Sequence, residues 1–255
     1  MTLLVVDIGN TLTKAGVWEG ARVGLVVQRP TREAAALTED VARMAGVHGA
    51  GAAPLSVCSV VPEALKVWGE WAAREHRSML HVQGDTQTSL TNRYRAPQVL
   101  GADRLAAAVA AERRFGAPVI VASVGTAVVV DAVSPKSEYL GGAIWVGTRL
   151  GLRALADGTV GLPQVSPGHV STPIGGDTET SLRVGASHGL AALIEGLAAR
   201  MRDYLGEQAP LAVTGGDAEA IAPYLRTEHE VVPTLTLEGL ALIWDHARGN
   251  ADADR

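Results

Sequence analysis

Cysteine is nearly absent from this chain of 255 residues, because Cys58 is the only one. A single cysteine excludes a disulfide within the chain and a zinc site built from cysteine ligands. The sequence also lacks the run of roughly 18 apolar residues that a membrane-spanning helix needs. Its apolar start ends at Asp7, which is too short for the core of a signal peptide. We therefore expect a cytoplasmic protein in a reducing compartment, with no membrane partner.

Positive charge is also scarce, since 22 Lys and Arg stand against 27 Asp and Glu and the net charge is −5. A mildly acidic chain without a basic run argues against a nucleic-acid partner. Aromatic residues make up only 4% of the chain. The core must therefore be built from Val, Leu, Ile and Ala, which suits buried parallel strands and close helix packing.

Apolar runs and helical periodicity alternate along the chain, which is typical of an α/β fold. A length of 255 residues corresponds to one large domain or two small ones. Buried strands are predicted at 3–6, 55–61, 78–82, 119–122, 128–133 and 211–213, and a hairpin at 16–27. Helices are predicted at 31–44, 63–74, 101–114, 148–156, 180–204 and 236–246. Residues 86–97 are predicted to form an irregular loop, and Gly141-Gly142 a turn.

The two halves of the chain contain a similar segment. Val5–Thr11 and Val121–Ala127 each combine a strand, a polar residue, one apolar residue, Gly and a turn that carries Thr. The segments lie nearly half the chain apart, which indicates a duplication of one α/β unit of roughly 120 residues. The predicted domains are 1–117 and 118–255.

Three glycine turns follow predicted strands and suit phosphate binding. They are Asp7-Ile8-Gly9-Asn10-Thr11, Gly125-Thr126 and Gly215-Gly216. Such turns present backbone N–H groups and hydroxyls to an anion, and an Asp at the strand end can hold Mg²⁺. Taken singly, each is more often only a tight turn, but together they indicate a nucleotide clamped between two related halves. The pattern is neither a Walker A loop nor a dinucleotide fingerprint.

A carboxylate and a guanidinium adjoin in Gly101-Ala102-Asp103-Arg104, at a predicted helix start. One interpretation is an acid that the helix dipole favours in the first turn. The other is a general base beside an anion-binding arginine. The spacing alone favours the first interpretation and leaves the second open.

A series of motifs runs along nearly the whole chain. Besides the segments at Asp7, Gly101 and Gly125, it includes Ser59-Val60-Val61-Pro62, Tyr94…Pro97, Tyr139-Leu140-Gly141-Gly142-Ala143-Ile144, Leu162-Pro163, Ile174-Gly175…Thr178…Ser181…Gly185, Thr214-Gly215-Gly216 and Leu235-Thr236-Leu237-Glu238-Gly239-Leu240. In this order the motifs resemble those of the type III pantothenate kinases. The resemblance implies two duplicated RNase-H-like halves, as in the actin-like ATPase superfamily that includes acetate and sugar kinases, with the active site in the cleft between the halves.

The resemblance also implies an activity and its cofactors. Such kinases transfer the γ-phosphate of ATP to the 4′-hydroxyl of pantothenate, giving 4′-phosphopantothenate in the first step of coenzyme A biosynthesis. They require Mg²⁺ and a monovalent cation, K⁺ or ammonium. They are homodimers with the substrate site near the subunit interface.

Matched motif by motif, the resemblance implies roles for individual residues. Asp103 is the implied general base, and Asp7 the residue of the Mg²⁺ site. The implied pantothenate-binding residues are Tyr94, Gly101, Ala102, Arg104 and Thr178. The implied ATP- and phosphate-binding residues are Asp7, Ile8, Gly9, Asn10, Thr11, Lys14, Gly125, Thr126, Gly215 and Gly216.

Ser123 departs from the family pattern, which commonly has Asp at the start of the second loop. This position is implied for the monovalent cation, and a serine hydroxyl can ligate K⁺ but brings no charge. The substitution therefore calls monovalent-cation dependence into question. Two other hypotheses stay open: a catalytically weak or inactive nucleotide-binding homologue that acts as a regulatory accessory factor, and a kinase of the same superfamily for another small hydroxylated substrate.

Overall fold

The computed structural model describes residues 2–47 and 49–253. It is a mixed α/β structure with two sheets, which confirms the predicted fold class. Contacts divide the chain into two compact units. Unit 1 comprises Met1–Arg114, Ser137–Tyr139 and Thr234–Arg255, and unit 2 comprises Phe115–Lys136 and Leu140–Pro233. The division into 1–117 and 118–255 stays a prediction, and the contacts group residues 234–255 with unit 1.

Strands and helices alternate as the sequence predicts. The strands are β1 (Leu3–Ile8), β2 (Leu12–Trp18), β3 (Val23–Pro30), β4 (Leu55–Ser59), β5 (Met79–His81), β6 (Thr91–Asn92), β7 (Val119–Val124), β8 (Ala127–Val133), β9 (Glu138–Val146), β10 (Leu211–Thr214) and β11 (Glu230–Val231). The helices are α1 (Ala34–Val47), α2 (Pro62–Arg74), α3 (Ala102–Phe115), α4 (Thr148–Gly158), α5 (Thr178–Val184), α6 (Leu190–Leu205), α7 (Ala218–Ile221) and α8 (Leu235–Ala253). None of the helices within 2–47 and 49–253 is long and apolar enough to cross a bilayer.

Unit 1 is built on a five-stranded sheet with the order β3-β2-β1-β4-β5. The strands β1, β2 and β3 are antiparallel, and β4 and β5 continue the sheet parallel to β1. The predicted hairpin between β2 and β3 closes where the Glu19 amide donates to the Arg22 carbonyl over 3.1 Å. The central strands β1 and β4 bury nearly every side chain, including the hydroxyl of Ser56 in β4.

Helices α1, α2 and α8 pack against the sheet of unit 1. The core beside the sheet includes Leu4 of β1, Leu37 of α1 and Trp68 of α2. Helix α8 contacts β1 and β4, and the Ser56 hydroxyl donates to the Leu240 carbonyl over 2.9 Å. This packing explains why the C-terminal helix belongs to unit 1 although it comes last in the sequence.

Unit 2 contains a sheet with the order β11-β10-β7-β8-β9. The strands β7 and β8 are antiparallel, β10 is parallel to β7, and β11 is parallel to β10. Its core includes Ile120 of β7, Ile194 of α6 and Val213 of β10. In unit 1, the short strand β6 pairs in parallel with Glu138 and Tyr139, the first two residues of β9.

The first hairpins of the two units have the same design. The strands β1 and β7 each have 6 residues, β2 and β8 each have 7, and buried and exposed positions follow the same order in both hairpins. Each hairpin also receives a parallel strand on its first strand, β4 in unit 1 and β10 in unit 2. This agreement supports the duplication inferred from the sequence.

Two local predictions need correction. Gly141 and Gly142 do not form a turn but lie inside β9. A Cβ at Gly142 would lie 1.8 Å from the Val130 carbonyl oxygen, so glycine serves close approach of two backbones there. The loop predicted at 86–97 contains the short strand β6. The helix predicted at 180–204 is confirmed in extent, with a π-helical turn at Gly185–Gly189 between α5 and α6.

Candidate active site

Asp7 lies near the carboxyl end of β1, in the centre of the unit 1 sheet. Its neighbours in register are Lys14 of β2 and Cys58 of β4, so the three side chains share one face of the sheet. The Cys58 thiol donates to Asp7 Oδ1 over 3.4 Å. Burial, and then the Asp7 carboxylate, raises the pKa of Cys58 well above its usual range, so the thiol stays protonated. Sequence reasoning missed this contact because the two residues lie on separate strands.

The pKa of Asp7 is raised to about 6. Burial is the largest cause and the negative charge of Asp103 the second, whereas the Cys58 hydrogen bond and Lys14 lower this pKa. The influence of Asp103 means that unit 1 brings the two predicted carboxylates close together. Neighbouring acids disfavour each other's ionisation, and a bound cation would relieve that repulsion.

Asp103 lies in the first turn of α3, which begins at Ala102. The Gly101 carbonyl accepts a hydrogen bond from the Arg104 amide over 3.1 Å, which starts the helix. A Cβ at Gly101 would lie 2.5 Å from Asp103 Oδ1, so a larger residue there would force the carboxylate out of this position. The helix N-terminus favours the charged form of an acid in the first turn. Asp103 is therefore held near Asp7 by a helix start and not by a flexible loop.

Arg104 is buried, with 8% of its surface exposed, and its guanidinium lies 5.5 Å from the ring centroid of Tyr94. At this distance a cation–π interaction holds the two side chains together. The Tyr94 amide donates to Asn92 Oδ1 over 2.9 Å, and Asn92 Nδ2 donates to the Gly84 carbonyl over 2.9 Å. Unit 1 thus brings Tyr94 to the Gly101–Arg104 segment, as the site prediction requires.

The turn Asp7–Thr11, which we call the first phosphate loop after its predicted role, connects β1 to β2. Ile8 packs in the core of unit 1, whereas Asn10 and Thr11 are exposed. The Gly9 amide donates to the Leu12 carbonyl over 3.1 Å and closes the loop. The exposed polar residues are therefore carried on a short, hydrogen-bonded turn.

The second and third predicted loops come together in unit 2. Ser123 of β7 is in register with Thr214 of β10, so both strands end at the same edge of the sheet. The Val124 carbonyl accepts from the Asp217 amide over 3.0 Å. Gly215 has φ of +104°, and a Cβ there would lie 2.2 Å from the Val124 carbonyl oxygen. The loop of Gly125 and Thr126 and the turn of Gly215 and Gly216 are thereby packed backbone against backbone.

Gly147 also packs against the second loop, a contact that the sequence does not predict. It immediately precedes α4, and its amide donates to the Thr126 carbonyl over 3.0 Å. A Cβ at Gly147 would lie 1.9 Å from the Gly125 carbonyl oxygen. The N-terminus of α4 therefore adjoins the second loop, where its unpaired amides favour an anion. Its position between a strand and a helix is the sequence signal that could have indicated this role.

Thr178 lies in unit 2 as the first residue of α5. Asp177 caps this helix, accepting from the Thr180 amide and hydroxyl, each over 2.8 Å. These hydrogen bonds lower the pKa of Asp177 and keep the cap charged. The cap fixes the position of Thr178 within unit 2, and its part in pantothenate binding stays a prediction.

Comparison with known proteins decides the family. The sequence profile of the family described as type III pantothenate kinase matches residues 3–200. The chain belongs to the type III pantothenate kinase family. A relative with this name from Anaeromyxobacter sp. (strain Fw109-5) is 37% identical, with 96% of this chain and all of the relative covered. Relatives of the same name from Myxococcus xanthus and Roseiflexus castenholzii are 35% and 36% identical, covering 95% and 96% of this chain and 97% and 99% of their own lengths.

Solved structures confirm the fold of this type III pantothenate kinase family member. A Campylobacter jejuni protein described as belonging to the Baf family of transcriptional activators superposes with a TM-score of 0.62 at 20% identity, covering 97% of this chain and 100% of that one. The activator of 2-hydroxyisocaproyl-CoA dehydratase from Clostridium difficile, with bound ADPNP, gives 0.54 at 12% identity, covering 99% and 98%. At these identities the likeness shows the fold alone, which is the actin-like ATPase fold.

The side chains at Asp7 suit the Mg²⁺ that the motif resemblance implies. No group of three His, Cys, Asp or Glu among residues 2–47 and 49–253 could hold a metal by itself. Mg²⁺ commonly keeps several waters and binds through one or two carboxylates together with substrate phosphates. The mutual repulsion of Asp7 and Asp103 fits a carboxylate site of that open kind.

Gly215→Ala should destabilise the protein and weaken nucleotide binding. The new Cβ would meet the Val124 carbonyl in a backbone conformation that costs an L-residue about 1–3 kcal/mol. Gly216→Ala is the matched control, because nothing lies within 4 Å of a Cβ there. Thermal unfolding and ATP titration of both variants test this, and equal melting temperatures would contradict it.

Proposed function

We propose that this protein is an ATP-dependent pantothenate kinase that forms 4′-phosphopantothenate in the first step of coenzyme A biosynthesis. The observation that carries the proposal is the acidic pair in unit 1, where Asp103 at the start of α3 raises the pKa of Asp7. Two neighbouring carboxylates with different surroundings can take different roles, one towards a metal ion and the other towards a proton. Because the reaction consumes ATP, we propose a cytoplasmic location.

Asp103 is the proposed general base, which accepts the proton of the 4′-hydroxyl as that oxygen attacks the γ-phosphorus. A carboxylate can do this when it is ionised and within hydrogen-bond reach of the hydroxyl. The start of α3 supports the ionised form. Arg104, held under the Tyr94 ring, supplies a fixed positive charge suited to the carboxylate of pantothenate. Gly101, Ala102 and Thr178 are proposed to complete the pantothenate-binding residues.

The ATP phosphates are proposed to bind the two glycine loops. The proposed contacts are the backbone and side chains of Ile8, Gly9, Asn10, Thr11, Lys14, Gly125 and Thr126, together with the amides at the start of α4. In unit 2 a cavity of about 420 Å³ adjoins Asp217, Arg149, Arg183 and Tyr224, beside the turn of Gly215 and Gly216. Its size and mixed polar lining support binding of the nucleoside part of ATP there.

Mg²⁺ is proposed to bind Asp7, directly or through water. When bound, it neutralises charge on the phosphates during transfer. Asp7 itself is positioned by the Cys58 thiol and faces Lys14 across the hairpin. Phosphoryl transfer depends mainly on such positioning and charge neutralisation.

A coupled assay of ADP release with ATP, Mg²⁺ and pantothenate tests the activity. We expect pantothenate-dependent ADP release and a product whose mass is that of 4′-phosphopantothenate. Nucleotide binding without turnover would instead favour the regulatory accessory factor. Turnover with a different polyol alone would favour a kinase of another specificity.

Ser123 determines whether we expect the activity to depend on a monovalent cation. It stands in β7 where Asp7 stands in β1, and it is in register with Thr214 and Val129, neither of which is charged. We expect equal rates in K⁺ and choline buffers for the wild type, and K⁺ activation in Ser123→Asp. A wild-type rate that requires K⁺ or ammonium would show that the hydroxyl suffices as a ligand.

A homodimer is proposed from an apolar surface of unit 2. Trp145 and Leu155 are exposed by 57% and 44%, and they line a cavity of about 410 Å³ whose other lining residues are mainly apolar residues of α4 to α6. Contiguous exposed apolar residues of this kind mark interaction sites. Light scattering after gel filtration should give twice the mass of the chain, and Trp145→Glu should lower it. Val47→Glu, at an exposed apolar residue of unit 1, should leave the mass unchanged.

A further inference from the structure

Two buried threonine hydroxyls lie beside the first phosphate loop, although neither residue is part of the Asp7–Thr11 motif. Thr13 of β2 is fully buried, and Thr31, which begins the 3₁₀ turn Thr31–Glu33, is 5% exposed. Their Oγ1 atoms are 3.1 Å apart. The Thr31 hydroxyl also lies 2.6 Å from the Gly9 carbonyl oxygen, to which it donates. Thr31 is thus joined to a loop that lies 22 residues earlier in the sequence.

The direction of these hydrogen bonds follows from the chemistry of the groups. A hydroxyl has one proton to donate, and a carbonyl oxygen can only accept. Because Thr31 gives its proton to Gly9, the proton between the two threonines must come from Thr13. The chain therefore runs from Thr13 to Thr31 to the Gly9 carbonyl, and no other order satisfies these three groups.

The same residue also holds the loop through its backbone. The Thr31 amide donates to the Thr11 carbonyl over 3.0 Å, and the Leu12 carbonyl accepts from the Gly9 amide over 3.1 Å. The carbonyl oxygens of Gly9, Thr11 and Leu12 are all engaged inside the protein. A carbonyl oxygen is the negative end of the peptide dipole and would repel a phosphate that it faced.

We propose that Thr31 is a positioning residue for ATP, which holds the Gly9 and Thr11 carbonyls inward so that the first loop can accept phosphate. The inference rests on the proposed function only in that this loop binds the phosphates of ATP. It assigns to Thr31 no contact with the nucleotide. A buried acceptor that loses its donor must find another partner, and rotation of the Gly9 peptide towards solvent would provide one on the phosphate side.

Calorimetric titration with ATP and Mg²⁺, without pantothenate, tests this. Thr31→Val keeps the shape but removes the donor, and we expect the Kd for ATP to rise about tenfold or more. Thr31→Ser should restore the wild-type Kd, and Thr31→Cys, a weak donor, should be intermediate. Where turnover is measurable, the KM for ATP should rise in Thr31→Val while the KM for pantothenate stays unchanged.

Two control variants separate positioning from stability. Thr38 is a buried threonine of α1 whose hydroxyl donates to the Ala35 carbonyl over 2.7 Å. Thr38→Val should lower the melting temperature as Thr31→Val does, with an unchanged Kd for ATP. Thr13→Val leaves the Thr31 to Gly9 hydrogen bond in place and should also retain ATP affinity.

The inference is overturned if Thr31→Val binds ATP as tightly as Thr38→Val, or if Thr31→Ser fails to restore affinity. If Thr31→Val does not fold, the ATP affinities of the wild type, Thr31→Ser and Thr31→Cys still test the inference. Equal affinities of these three proteins would contradict the role of the hydroxyl as a donor. A wild type that binds no ATP overturns it as well. A wild type that binds ATP but does not phosphorylate pantothenate refutes the proposed reaction alone, since the Thr31 comparison needs no turnover.

Discussion

Asp103→Asn is expected to lower kcat for pantothenate phosphorylation by about 10²–10⁴-fold, the usual contribution of a general base. Asparagine has nearly the shape of aspartate but cannot accept the proton of the attacking hydroxyl. The Kd for ATP should stay close to that of the wild type or improve, because Asp103 places negative charge beside Asp7. Steady-state kinetics together with ATP titration separate the two effects.

The matched control is Asp40→Asn, the same chemical change on α1, where Asp40 binds Arg29. It should leave kcat unchanged. An Asp103→Asn enzyme with more than about a tenth of the wild-type kcat would contradict the assignment of the base, since general-base catalysis contributes at least about 10²-fold. Loss of ATP binding in this variant would point to a misfolded site, which thermal unfolding would reveal.

Much of the fold follows from local pattern. The first strands of the two hairpins, β1 and β7, are recognisable because they are buried apolar runs that lead into a polar residue and a glycine turn. The equal burial of β1 with β7 and of β2 with β8 explains why Asp7 and Ser123 align in the sequence. The start of α3 is also local, because Gly101 and Asp103 are only two residues apart.

The missed features depend on contacts between distant segments. Cys58 touches Asp7 only because β4 pairs with β1 in a particular register. Thr31 reaches Gly9 because β3 returns along β2, and Gly147 meets Gly125 because β9 leads into α4 beside the second loop. In the sequence these residues resemble an ordinary core thiol, a helix-start threonine and a loop glycine. Their roles appear only when the neighbouring backbone is known.

The error at Gly141-Gly142 has the same origin. Two adjacent glycines usually indicate a turn, but the requirement here comes from Val130 on the neighbouring strand, whose carbonyl occupies the space of a side chain. The sequence shows where glycines stand, but it does not show whether a turn or a close contact with a neighbouring strand requires them. The C-terminal helix is a second case, because the sequence predicts a helix at 236–246 but not its contacts with β1 and β4.

Asp7→Asn should abolish Mg²⁺-dependent turnover and yet stabilise the ligand-free protein above pH 6. The pKa of Asp7 is raised from 3.8 to about 6 in the folded state, chiefly by burial and then by Asp103. The protonated form is therefore favoured by folding, so the contribution of this group is fully present below pH 3.8 and is lost as pH rises through about 6. Asparagine stays neutral and escapes that loss, and its side-chain oxygen can still accept from the Cys58 thiol.

Melting temperatures measured from pH 4 to pH 8 test this sign. Relative to wild type, Asp7→Asn should gain about 2 °C or more at pH 8, and little or nothing at pH 4. Asp40→Asn should behave oppositely, because Arg29 lowers the pKa of Asp40 and its stabilisation is present above pH 3.8 and lost in acid. Adding Mg²⁺ with ATP should stabilise the wild type more than Asp7→Asn, since ligands that bind only the folded state raise its stability.

An Asp7→Asn variant that is less stable than wild type at pH 8 would contradict the prediction. It would mean that the charge of Asp7 is already compensated in the ligand-free protein. A carboxylate that is destabilised in the ligand-free protein suits the proposed Mg²⁺ site, because the same repulsion that weakens the ligand-free fold would favour cation binding.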